Sequence, residues 1–291
     1  MKVAILGASG FIGRELLAKL AGEHDVIAVA RKRPNHAVPG VRWVEADLTR
    51  PEDAERALAG AEVAVHLIHS LGSSDYEQRD LRIAENVARA AERAELSQIV
   101  YLSGLGDDLT EASDHLRSRR ETGERLSAAS VPVTTLRAGV VIGRGSAAFE
   151  TIVALVDRLP AMICPRWVST PTQPIALDDV VAYLTAVVGL APAIGQRLDV
   201  GGPEVMTYRS MIDRIAAIRG KHLFIVEVPV LTPRLSSWWL HLVTPVKASI
   251  ARPLIDGLRN PTVVEDDRMR TLVPFEPTSF DEVVRDVLSA E

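Results

Sequence analysis

The chain has 291 residues, of which 47% are hydrophobic and 24% charged, and a formal net charge of -5. That size and mix suit one large α/β unit, or one such unit with a smaller lobe, and give enough chain to bury a core without staples. The mildly acidic balance argues against a general nucleic-acid surface, and the single cysteine, Cys164, excludes an intrachain disulfide and fits a reducing cytoplasm.

The N-terminus does not read as a secretory leader, because the apolar run "VAIL" after Lys2 is short and ends in a glycine turn. Strand and helix then alternate. "KVAILG" (2–7) is a continuous β run, followed by "FIGRELLAKLA" with helical spacing. "DVIAVA" (25–30) and "VRWVEAD" (41–47) are strands, and "PEDAERALAG" is a helix opened by Pro51 and closed by Gly60. "EVAVHLIHS" (62–70) is a fourth strand and "DYEQRDLRIAENVARAAERA" (75–94) a long helix. A fifth strand (98–106), a helix (113–129) capped by Ser113 and a sixth strand (131–139) complete the rhythm. Strands apolar on both faces and separated by helices predict a doubly wound parallel sheet.

After about residue 145 prolines accumulate and the alternation loosens. Residues 1–145 read as a nucleotide-binding domain, and 146–291 as a smaller C-terminal α+β substrate lobe interleaved with the last strands of the sheet. "DVVAYLTAVVGLAPAIG" (179–195) is shorter than the about 20 residues of a membrane helix and is broken by Pro192, so it reads as a buried helix. Cys164 reads as a buried filler with no base aimed at it.

Gly7, Gly10 and Gly13 stand between the first strand and the first helix. A strand-to-helix turn needs one residue free of Cβ, close approach of main chain to a pyrophosphate needs a second, and tight helix packing needs a third. The helix start at Phe11, Ile12 and Gly13 offers free N–H groups to the phosphates, and Ser9 adds a hydroxyl. An acid that would hold an NAD ribose is missing at the end of the second strand, where Ala30 is followed by "RKRP". Arg31 and Arg33 suit a 2′-phosphate instead and favour NADP over NAD; the plainer alternative is a solvated basic loop. Asp47 and Leu48 are placed to meet the adenine, and Leu67, Ile68 and His69 to run beside the cofactor.

"GASGFIG", "ADL", "HLIHS", "IVYLSGLG" and "LRAGVVIG" follow one another as in the short-chain dehydrogenase/reductases. The chain resembles the atypical branch of that family, with NmrA-like and epimerase-like relatives, and "QPIALDDVVAYL" with "RLDVGGPEVMTYRSMI" resembles the branch's C-terminal lobe. The resemblance implies a Rossmann fold, a nicotinamide cofactor and a substrate cleft between sheet and lobe. It also implies a Tyr-x-x-x-Lys pair on the helix after the fifth strand, with a Ser or Thr at that strand's end.

This chain departs from the pattern. The helix at 113–129 has neither tyrosine nor lysine, and His115-x-x-x-Arg119 stands at the matching spacing, which places both on one helix face. Arg119 could hold ribose hydroxyls, His115 could transfer a proton, and Ser103 could polarise a substrate oxygen. The alternative is a solvated helix face and a serine that merely ends a strand. His66 and His69 lie three apart and face opposite sides of a strand end, which argues against a metal pair, and no metal site is expected. The apolar stretch 231–260, with Trp238 and Trp239, reads as core or subunit interface, as a lid over an apolar substrate, or more weakly as a membrane contact.

These readings converge on an NADP(H)-binding reductase-like protein acting on a small, apolar carbonyl or alkene substrate. A non-catalytic NADP(H) redox sensor is the alternative from another class, and an epimerase or dehydratase is the third.

Overall fold

The computed structural model describes residues 1–35, 38, 40–70, 75–228 and 257–289. Seven strands form its central sheet: β1 (Lys2–Leu6), β2 (Asp25–Ala30), β3 (Arg42–Glu45), β4 (Val63–His66), β5 (Gln98–Gly104), β6 (Val133–Ala138) and β7 (Arg197–Val200). Their order is β7-β6-β5-β4-β1-β2-β3, and every neighbouring pair is parallel. Three strands build outward from β1, and the fourth returns to its other side. The strand order therefore reverses between β1 and β4, which opens a crevice at their carboxyl ends. This is the doubly wound Rossmann arrangement.

The helices are α1 (Phe11–Leu20), α2 (Pro51–Leu58), α3 (Tyr76–Arg93), α4 (Asp114–Leu126), α5 (Ala147–Arg158), α6 (Leu177–Ala186), α7 (Tyr208–Ile218), α8 (Arg268–Leu272) and α9 (Phe280–Ser289). Strand residues alternate between two covering layers. Val3, Ile5, Ala28, Val65 and Leu102 pack with α1 and α6 on one face. Ala4, Leu6, Ile27, Val29, Ala64 and Tyr101 pack with α2 and α3 on the other. Val3 to Leu6 are wholly buried, and each large side chain removed from water contributes about 1.5–3 kcal/mol. α1 buries Gly13, Leu16, Leu17 and Leu20, one helical stripe against the sheet.

The region after 145 is not a detached unit. It supplies β7 to the sheet and α6 to the layer beside α1. A third cluster around Phe149, Met211, Ile215 and Val284 joins α5, α7 and α9. Beside it, strands Ala161–Pro165 and Phe224–Val228 run parallel to each other. The chain from 257 onward stitches lobe to sheet. Asn260 accepts from the Ser113 amide at 3.1 Å and donates to the Glu111 carbonyl at 3.0 Å, and the Thr262 amide donates to the Pro171 carbonyl.

Two elements differ from the sequence reading. The fourth strand stops at His66; the Ser70 amide turns to the Asp80 carboxylate, and pairing with β1 ends at the Leu67 amide. The helix within 179–195 stops at Ala186, and Pro192, which has no N–H to continue a helix, sits in a one-turn 3-10 helix at Ala191–Ala193. Among the described residues no helix is long and apolar enough to cross a membrane. Trp238, Trp239 and most of the stretch 231–260 lie outside the described residues.

Candidate functional site

The turn after β1 is made of main chain. The amides of Gly7 and Ala8 both donate to the Val29 carbonyl, at 3.0 and 3.1 Å, which ties the turn to the end of β2. Gly7 has φ of +94°, a conformation that side chains with Cβ rarely adopt. A Cβ on Gly13 would lie 2.2 Å from the Gly7 carbonyl oxygen, so only glycine lets α1 approach the turn this closely. Gly10 is the N-cap of α1, no side chain caps it, and the first turn holds no acid. Its leading amides thus face no competing carboxylate, and the positive end of the helix dipole is available to an anion.

A cleft of about 550 Å³ opens beside this turn at the carboxyl ends of β1, β2, β3 and β4. Gly7, Ser9, Gly10, Arg31, Asp47, Leu48, Leu67, Ile68 and His69 line it together with Arg79. Arg31 is exposed at the end of β2. Arg33 lies outside the lining, its amide donating to Glu45 at 3.0 Å. Asp47 accepts from the Thr49 amide and hydroxyl and lies 3.3 Å from Arg79. Burial works against its ionisation, but those hydrogen bonds and the Arg79 and Arg50 charges outweigh it and hold the carboxyl below the usual range. A glycine turn with open amides, a cation just after β2 and apolar lining at Leu48 and Ile68 fit a dinucleotide: Gly7 to Gly13 would hold the pyrophosphate, and Arg31 and Asp47 would meet the adenosine half.

At the β4 and β5 end, side chains from several elements converge. His69 places Nδ1 2.8 Å from Asp80 Oδ2 and Nε2 3.3 Å from His115 Nδ1. Asp80 is buried on α3 and accepts from the Ser70 amide as well. Burial pushes both imidazoles below their usual range; the Asp80 hydrogen bond opposes this at His69, while the His69 and Arg119 charges add to it at His115. His66 is fully buried against Tyr101, with ring centroids 5.8 Å apart, and burial followed by the Arg119 charge takes it to about 3.

Arg119 is turned inward rather than into the cleft lining. It donates to the Leu102 carbonyl, lies 4.8 Å over the Tyr101 ring, and leaves Nη1 buried with no partner among the described residues. Ser103 donates to Asp107 at 2.9 Å. Asp107, itself buried, in turn pairs with the buried Arg137 and the exposed Arg197. Of the three residues that the sequence suggests for chemistry, only His115 contacts a cleft residue through a hydrogen bond, by way of His69. Cys164 is buried, and burial raises its thiol to about 11.

Residues 7–141 match the family model described as NAD(P)H-binding. Over that stretch, just under half of its length, the chain is similar to NAD(P)H-binding proteins. The described fold resembles the NADPH-dependent quinone oxidoreductase of Escherichia coli in complex with NADPH, with a TM-score of 0.80 at 19% identity, covering 99% of this chain and 100% of that one. In sequence, an uncharacterised protein of Mycobacterium tuberculosis is 27% identical over 237 residues, which is 79% of this chain and 25% of that protein. The chain thus spans about a quarter of the length of its mycobacterial relatives. The (4-alkanoyl-5-oxo-2,5-dihydrofuran-3-yl)methyl phosphate reductase of Streptomyces griseus is 26% identical over 231 residues, 78% of this chain and 77% of that enzyme.

Reading the residues alone misses Asp80 and Arg79 beside this cleft. One signal for Asp80 is present: it falls on the buried stripe of α3 with Ile83, Ala84 and Val87. An acid on an apolar helix face must find a partner.

Proposed function

We propose that this chain is an NADP(H)-dependent reductase that exchanges hydride with the carbonyl or alkene carbon of a small, apolar substrate. The observation that carries the reading is the cleft itself, with the main-chain turn on one side and Arg31, with no acid at Ala30, on the other. The bound nicotinamide supplies the hydride. The chain's residues bind and orient: the α1 amides hold phosphate, Arg31 the 2′-phosphate, and Arg119, on leaving the Leu102 carbonyl, the ribose hydroxyls. Ser103, once its hydroxyl turns from Asp107, polarises the substrate oxygen, and His115 transfers the proton. The names of the relatives, a phosphate-ester reductase and a quinone oxidoreductase, support this class of reaction.

One observation favours a second reading, a redox sensor without turnover. The Ser103 hydroxyl is engaged by Asp107 and Arg119 by Leu102, both away from the cleft lining. One experiment separates the two. Affinities for NADPH and NADH are measured by fluorescence, and NADPH consumption is followed over a panel of quinones and enals. The native chain should prefer NADPH, and Arg31→Ala should weaken NADPH by about tenfold or more, the worth of one charge-assisted contact, while leaving NADH unchanged. Equal affinities in the native chain would remove the NADP assignment. Tight binding with no turnover across the panel would leave the sensor. Isomerised substrate without net NADPH consumption would identify an epimerase.

A further inference from the structure

We infer that Asp80 and His69 are positioning residues that set His115 as a proton acceptor in its resting form. This rests on the reading of the cleft as a hydride-transfer site. The argument follows the hydrogens. An ionised carboxylate only accepts hydrogen bonds, so the 2.8 Å contact with Asp80 places the proton of His69 on Nδ1. The neutral ring then carries its lone pair on Nε2. That atom faces His115 Nδ1 at 3.3 Å, so His115 donates from Nδ1 and its own lone pair lies at Nε2. The opposite polarity would aim a lone pair of His69 at a carboxylate.

Asp80 is fixed for this task. It is 2% exposed. The Ser70 amide donates to both of its oxygens, at 3.1 and 3.2 Å. Burial opposes its ionisation, yet the bonds from His69 and Ser70 hold it below the usual carboxylate range. The edge of Tyr76 packs against the His69 ring at 6.2 Å and 85°. Among the described residues the charged and titratable groups around the two rings are Asp80 and Tyr76 from α3, Arg119 from α4 and His66 from β4. Burial first, and the Arg119 charge with it, disfavours a second cation there and keeps the pair neutral near pH 7.

A neutral pair of this polarity takes a proton before it gives one. With a substrate alcohol, the O–H bond breaks, its electron pair stays on oxygen, and an N–H bond forms at His115 Nε2. An oxidised nicotinamide, when bound, would supply the acceptor for the hydride of the same carbinol carbon. The imidazolium charge is then shared through His69 toward Asp80. In reduction the imidazolium returns that proton to the alkoxide. Alcohol oxidation should therefore rise with pH and carbonyl reduction should fall with pH, through one shared midpoint.

The test is a tautomer measurement on the full chain without ligand. Nitrogen NMR of histidine-labelled protein at neutral pH should show both His69 and His115 as the Nδ1–H form. In Asp80→Asn the amide oxygen is claimed by the Ser70 N–H, so the NH₂ faces His69 and both rings should switch to Nε2–H. Turnover should then fall by about tenfold or more with KM nearly unchanged. An Nε2–H form of His115 in the native chain, or no switch in Asp80→Asn, overturns the inference. Should Asp80→Asn fail to fold by circular dichroism, His69→Phe keeps the ring and deletes the acceptor. His115 should then lose its Nδ1–H preference, and retention of it overturns the inference equally. NADPH fluorescence on the same samples tells the two proposals apart. Intact tautomers without NADPH binding would sink the reductase reading alone.

Discussion

The carboxyl end of β6 and the inward face of α4 each bury an arginine, and they settle it in opposite ways. Arg137 and Arg119 are both 8% exposed. Arg137 meets Asp199 at 2.7 Å, Asp108 at 2.8 Å and Asp107 at 3.4 Å. Arg119 has no carboxylate within salt-bridge distance among the described residues; it has a carbonyl, a ring face and an orphan Nη1. A cation matched by acids is a joint of the fold. A cation left with a carbonyl and a π-face keeps its positive potential and spends it on its neighbours, here the imidazoles of His66, His69 and His115.

The sharpest break of that contrast is Arg137→Met. It leaves the carboxylates of Asp199 and Asp107 buried without this partner and should cost about 3–5 kcal/mol in urea unfolding. A loss below about 1 kcal/mol would mean that Arg137 is no joint.

The next effect is one of pH. The folded chain holds His66 at about 3, below its ordinary 6.5, so the unfolded chain takes up a proton first. This contribution is whole above pH 6.5 and is lost progressively as pH falls toward about 3. At pH 5 the loss from His66 alone should be about 2 kcal/mol, read as a lower urea midpoint than at pH 7.5. His66→Leu should abolish that part of the slope, and an unchanged slope would show that His66 is not the source.

The smallest effect is Arg119→Met. No acid is stranded, so stability should stay within about 1 kcal/mol of the native chain. The acid sensitivity of His66 should ease, because the Arg119 charge, which adds to burial in depressing it, has gone. NADPH affinity should nevertheless fall, and unchanged affinity would remove Arg119 from the cofactor contacts.

What could be read from the sequence is what depends on neighbours along the chain. The glycine turn is legible because Gly7, Gly10 and Gly13 answer a local demand of the backbone, and the carboxyl-end positions of Arg31, Asp47 and His69 follow from strand endings. The β/α alternation is legible for the same reason. The histidine pair is not. Its contact joins positions 46 apart, and its anchoring acid lies 11 residues from His69 on a different element. Ser103 was visible as a strand-end hydroxyl, but its commitment to Asp107 depends on how the following loop folds back. Arg119 shares a helix face with His115, yet whether a long side chain turns to a cleft or to a carbonyl is decided by the packing around Tyr101, which spacing does not encode.

Asn260 grips two peptide groups just before the start of α4, accepting from Ser113 and donating to Glu111. Ser113 is also the residue that caps that helix, through the Leu116 amide. The far C-terminal chain thus works as a tether on the helix that bears His115. One asparagine joins this late segment to the residue whose hydroxyl holds the first turn of the histidine-bearing helix.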